Sequence, residues 1–153
     1  MKKLLLLFLL LPLMAFSQFT ITDTSDNWQE VGKAYQAIKL FQKTDKTKAK
    51  IQYRDLTQTA SLDFYEFEFS TEPDTLDKIY QLCYDNLTSK KLGSQTLTFP
   101  EGNMKVVVGK ELGSIYLNFE FEKANDQLDK GDGKIRYTMG MNTKLLNKLF
   151  GKK

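Results

Sequence analysis

The sequence predicts a small α+β domain: a single antiparallel sheet of about six to seven strands in the order ββ(β)αββββα, one main helix packed on one face, and a short C-terminal helix. Two observations carry the prediction. Across residues 62–91 the apolar rhythm changes from period two to a period of about 3.6, which reads as a strand running into a helix. Beyond Gly93 come short alternating runs parted by Gly and Pro turns, the pattern of an antiparallel meander.

The chain opens with Lys2 and Lys3, an apolar run and then Ala15-Phe16-Ser17, so residues 1–17 read as a signal peptide cleaved before Gln18. The run from 4 to 16 is thirteen residues, too short for a span of about 20. An exported, periplasmic or secreted protein is therefore expected. Without the leader the charge is nearly balanced, 20 basic residues against 19 acidic, and no basic excess marks a nucleic-acid partner. The 136 residues that remain suit one domain, with residues 18–31 as an N-terminal arm and 32–153 as the fold. Histidine is absent, which excludes a Ser-His-Asp or Cys-His nucleophile and His-ligated zinc. The one cysteine, Cys83, has no internal disulfide partner.

Residues 28–43 fit either a helix stripe or an alternating strand. Gly32 weighs against a helix interior by about 1 kcal/mol relative to Ala. A hairpin with strands at 32–42 and 48–55, turning at Thr44-Asp45-Lys46-Thr47, is therefore expected, and Trp28 reads as a core anchor. In residues 62–69, Tyr65, Phe67 and Phe69 share one strand face while Glu66 and Glu68 share the other. The following helix, 74–89, has Thr71 as expected N-cap, Pro73 in its first turn, Lys90 and Lys91 at its negative end and Gly93 beyond. Strands are expected at 95–99, 103–109, 114–122 and 134–139, then a helix at 142–150 with Leu145, Leu146, Leu149 and Phe150 on its apolar side.

Seven of fifteen residues from Phe64 recur 52 positions later, from Tyr116, among them Phe67-Glu68-Phe69 as Phe119-Glu120-Phe121. Most of what is shared is what any amphipathic strand with an acidic exit needs.

Four carboxylates are candidates for chemistry. Glu66 with Glu68, and Glu120 with Glu122, lie two residues apart on strands, so each pair would face one way about 6.5–7 Å apart. Inverting glycoside hydrolases hold their two carboxyls at such a separation. Ion pairing across the strands, with Lys105 and Arg136 as partners, explains the same residues without catalysis. Asp126, Asp129 and Asp132 form an acidic loop, but the calcium-loop register fails: with Gly133 sixth, Leu128 falls first, Lys130 third and Met139 twelfth. No metal and no cofactor is expected. Cys83 falls on the helix's apolar stripe as a buried thiol, Asn86-Leu87-Thr88 matches a glycosylation sequon, and the basic C-terminal helix suits a core element better than a membrane surface.

The leader ending Ala15-Phe16-Ser17 before Gln18, the Phe99-Pro100-Glu101-Gly102 turn between paired strands, and the terminal Asn147-Lys148-Leu149-Phe150-Gly151-Lys152-Lys153 together resemble small exported bacterial proteins of unassigned function. The resemblance covers most of the mature chain by layout only and implies a style of fold, not an activity. The expected function is a non-catalytic binding or interaction module of the cell envelope, its partner a protein or other envelope component. A carboxylate-dependent hydrolase of an envelope glycan and a membrane-surface protein are the alternatives.

Overall fold

Eight strands and two helices follow one another as ββββα and again ββββα in the computed structural model of the protein, which describes residues 27–54, 64–123 and 136–152. Strands β1 (Trp28–Ala34), β2 (Ile38–Lys43), β3 (Lys48–Arg54) and β4 (Phe64–Ser70) pair in that order as one antiparallel sheet. Helix α1 (Thr75–Thr88) follows. Strands β5 (Gly93–Phe99), β6 (Gly102–Glu111), β7 (Ser114–Lys123) and β8 (Arg136–Tyr137) form a second sheet, and α2 (Thr143–Leu149) ends the described chain. The chain is thus a small mixed domain of antiparallel strands and two helices, but with two sheets of four strands rather than one of six to seven. Alternation reveals which residues of a strand face the core. It is the same whether a helix or a second sheet covers that face.

The two sheets meet through aromatic rings. Ser70 on β4 donates its hydroxyl to Glu101 in the β5–β6 turn. The Phe69 and Phe67 rings lie 4.8 and 6.4 Å from Phe99 on β5, Phe67 lies 5.0 Å from Phe121 on β7, and Tyr65 stacks under Arg136 on β8 at 4.0 Å. Moving along β4 from Ser70 to Tyr65 therefore means moving across the second sheet from β5 to β8. Strand β4 crosses those strands steeply, as in orthogonal sheet packing. Glu101 is held ionised at this junction. Burial raises its carboxyl pKa, but donation from the Ser70 hydroxyl and amide, with the charge of Lys48, outweighs that and leaves it below the ordinary carboxylate range.

Each half's helix serves the other half. Helix α1 packs against β6 and β7, α2 packs against β1 and β2, and the helices touch each other. Tyr80 of α1 lies 5.7 Å from the Phe150 ring and donates its hydroxyl to Asn147 at 3.1 Å, and Lys152 meets Asp77 at 2.6 Å. The buried side of α1 (Ile79, Cys83, Leu87) and of α2 (Leu146, Leu149) joins both sheets in one core with Leu40, Ile51, Phe67, Val106, Leu117 and Phe119. The 52-residue recurrence places β4, an edge strand, on β7, an interior one. The architectural repeat instead matches β3 with β7, so the sequence likeness is that of two amphipathic strands in different places.

Several boundaries differ from expectation for local reasons. Residues 32–42 are not one strand: pairing starts at Trp28, ahead of the expected arm boundary, and the chain reverses at 35–37. That turn contains no Gly, Pro, Asn or Asp, and Tyr35 itself takes the left-handed conformation (φ 58°). Trp28 is not in the core. It lies on the outer face of the first sheet, with the Lys50 ammonium 4.9 Å and the Lys43 ammonium 5.4 Å from its ring centre. The expected turn at 44–47 is present, with Asp45 accepting from the Thr47 amide at 2.9 Å and hydroxyl at 2.7 Å.

Asp74, not Thr71, occupies the N-cap position of α1, and its side chain makes no capping hydrogen bond. Thr71 instead donates to the Lys46 carbonyl at 2.6 Å, tying the helix entry to the β2–β3 turn. At the other end Lys90, three residues before Gly93, takes the left-handed conformation (φ 56°), and the amides of Lys90 and Lys91 return to the carbonyls of Leu87 and Asn86. That is a Schellman closure made without glycine. Asn142 caps α2 through its side chain, which accepts from the Leu145 amide at 3.0 Å.

Candidate functional site

The four candidate glutamates do not converge. Glu66 and Glu68 lie on the outer face of the first sheet, and Glu120 and Glu122 on that of the second, because Phe67, Phe69, Phe119 and Phe121 between them point into the shared core. Each is engaged across its strand pair. Lys48 meets Glu68 at 2.6 Å, Lys50 meets Glu66 at 3.2 Å with Gln52 donating to the same carboxylate at 3.1 Å, Lys105 meets Glu120 at 3.2 Å, and Asn103 donates to Glu122 at 3.1 Å. Exposed pairs of this kind contribute at most about 1 kcal/mol each. Arg136, expected as a partner for these carboxylates, is buried with its guanidinium over Tyr65.

Asp126, Asp129 and Asp132 lie outside the described residues, as do residues 1–26, which include the expected leader, and residues 55–63. Among the described residues no three acidic or thiol side chains gather as a metal site requires. Asn86 of the sequon is buried, and its amide donates to Gln95, so its side chain cannot carry a glycan in the folded chain. Helix α2 spends Leu146 and Leu149 on the core and leaves Lys144 and Lys148 outward. Among the described residues no helix is long and apolar enough to cross a membrane.

Cys83 has no exposed surface, and burial pushes its thiol pKa far above the ordinary value. A disulfide-exchange reagent such as dithionitrobenzoate is expected to leave Cys83 untouched in the native chain and to react with one equivalent after denaturation. Fast native reaction would mean that α1 does not pack as described.

A depression of about 620 Å³ lies on the outer face of the second sheet. Tyr116 and Asn118 on β7, Tyr137 on β8, and Ser114 at the start of β7 line it, with Glu111 and Glu120 also contributing. Its key member is Tyr116. A Cβ added to Gly109, its partner on β6, would lie 2.7 Å from the Tyr116 hydroxyl oxygen. One added to Gly140, on the other side, would lie 2.8 Å from the ring carbon Cδ2. The ring is therefore laid down along the sheet over two glycines rather than standing away from it, as aromatic residues cover glycines in sheets.

In the sequence Tyr116 and Asn118 alternate with Leu117 and Phe119, which marks them only as the wet face of a strand. The available signal was Gly109 and Gly140, whose meaning depends on knowing that both flank Tyr116 in space. Comparison of the chain with protein families, with curated proteins and with solved structures finds no match in any of the three.

Proposed function

We propose that the chain is a non-catalytic binding module of the cell envelope, exported through a leader at residues 1–17. The observation that carries the reading is the depression on the second sheet, a concave, half-polar surface lined by two tyrosines and an asparagine. Its size falls within the range of about 300–1,000 Å³ typical of ligand sites. The carboxylates first considered for hydrolysis support the same reading, being engaged one by one with lysine or amide partners on two opposite faces.

The test is co-sedimentation of the exported chain with insoluble envelope material. Saturable binding, displaced by unlabelled protein and without release of soluble reducing ends, is expected. Release of reducing ends would establish the hydrolase alternative, and absence of saturable binding would overturn the binding reading. N-terminal sequencing of the exported chain should begin at Gln18.

A further inference from the structure

The geometry points to the depression on the second sheet as a site for an uncharged oligosaccharide, with Tyr116 as the stacking platform. This deepens the binding reading above and rests on it. A pyranose presents a face of C–H bonds and a rim of hydroxyls, and a site for it needs an aromatic surface beside groups that both donate and accept. Tyr116 supplies the surface, because Gly109 and Gly140 let the ring lie along the sheet, where it lines the depression. Asn118, Ser114 and Tyr137 supply an amide and two hydroxyls around it.

The charges favour a neutral ligand. Glu111 and Glu120 both line the site, so an anionic sugar or a phosphate would meet like charge. The Lys105 ammonium, 3.2 Å from Glu120, balances that carboxylate, and among the described residues that line the depression there is no Lys or Arg to select an anion. Gly109 acts as a positioning residue. Its hypothetical Cβ meets the free end of the Tyr116 side chain, so Gly109→Ala would lift the ring without displacing backbone.

The experiment is a titration of the isotopically labelled exported chain, followed by amide chemical shifts, with chitotriose, cellotriose, maltotriose and the anionic trigalacturonate. At least one neutral trisaccharide is expected to move the amides of Ser114, Tyr116 and Asn118 saturably, with a millimolar or tighter Kd. Tyr116→Ala, Asn118→Ala and Gly109→Ala should each weaken binding about tenfold, while Tyr116→Phe keeps the platform and should bind about as well as the parent. The unperturbed spectrum of Asn118→Ala away from the site separates lost binding from lost fold.

The proposal is overturned if none of the neutral sugars moves these amides, if trigalacturonate binds there more tightly than they do, or if Tyr116→Ala binds like the parent. Envelope binding that survives Tyr116→Ala would overturn this site while leaving the broader binding reading intact.

Discussion

Gly32→Ala is expected to be among the most damaging single-methyl additions to this chain. A Cβ at Gly32 would sit 2.1 Å from the Lys148 carbonyl oxygen and 2.7 Å from that of Leu149, both backbone atoms at the end of α2. The conformation of Gly32 is not the issue, since its φ is not left-handed. The glycine is there because the end of α2 rests directly on β1, where the register of β1 against β2 shifts between Glu30 and Gly32. A side chain cannot move out of the way of two carbonyls, so α2 must. Its Leu146 and Leu149 then leave a core in which both are fully buried. A cost of about 3 kcal/mol follows, a fall of about 10 °C in Tm for a domain of this size. Thermal unfolding followed by circular dichroism measures it. Gly113→Ala is the control, because nothing lies within 4 Å of its added Cβ and only its left-handed φ of 83° is strained, at a cost of about 1 kcal/mol. Equal shifts for the two variants would rule out the close seating of α2.

Phe121→Ala should cost about 3–5 kcal/mol, the range for truncating a buried aromatic residue. Its ring lies 4.6 Å from Tyr53 and 5.0 Å from Phe67, both on the first sheet, and 6.2 Å from Phe119 on its own strand. The residue thus joins the two sheets at the point where β4 crosses β7, and a cavity there faces strands that cannot close on it without shifting a whole sheet. Chemical denaturation of the single variants and of Phe67→Ala with Phe121→Ala gives the coupling between the rings. Non-additivity of about 1 kcal/mol is expected for rings in contact. Strict additivity would show that the sheets do not meet through this pair.

Much of the local structure was legible in advance because it depends on neighbours in sequence. The alternation at 64–70 and 114–123, the helix stripe of Ile79, Cys83 and Leu87, and the Asp45 turn are each decided within a few residues. The reversal at 35–37 was missed because Tyr35 takes a left-handed conformation without any residue that favours it. The end of the helix at residue 89 was legible, but not that Lys90 closes it in a left-handed conformation, and Trp28 was read as core although its place on β1 turns it to the outer face beside Lys50.

By itself the sequence determined that this chain is a small domain of antiparallel strands and two helices, which side of β4 and of β7 is wet, and that chemistry requiring histidine is excluded. Only the tertiary structure decided that the strands divide into two sheets crossing at β4, that each helix covers the opposite half, and that Tyr116 lies across Gly109 and Gly140. The reason is physical. Periodicity records how a segment divides its side chains between water and core, a property of that segment alone. Which segment lies on the far side of the core, and which two glycines flank one tyrosine, depends on packing between residues far apart in the chain, and alternation carries no trace of it.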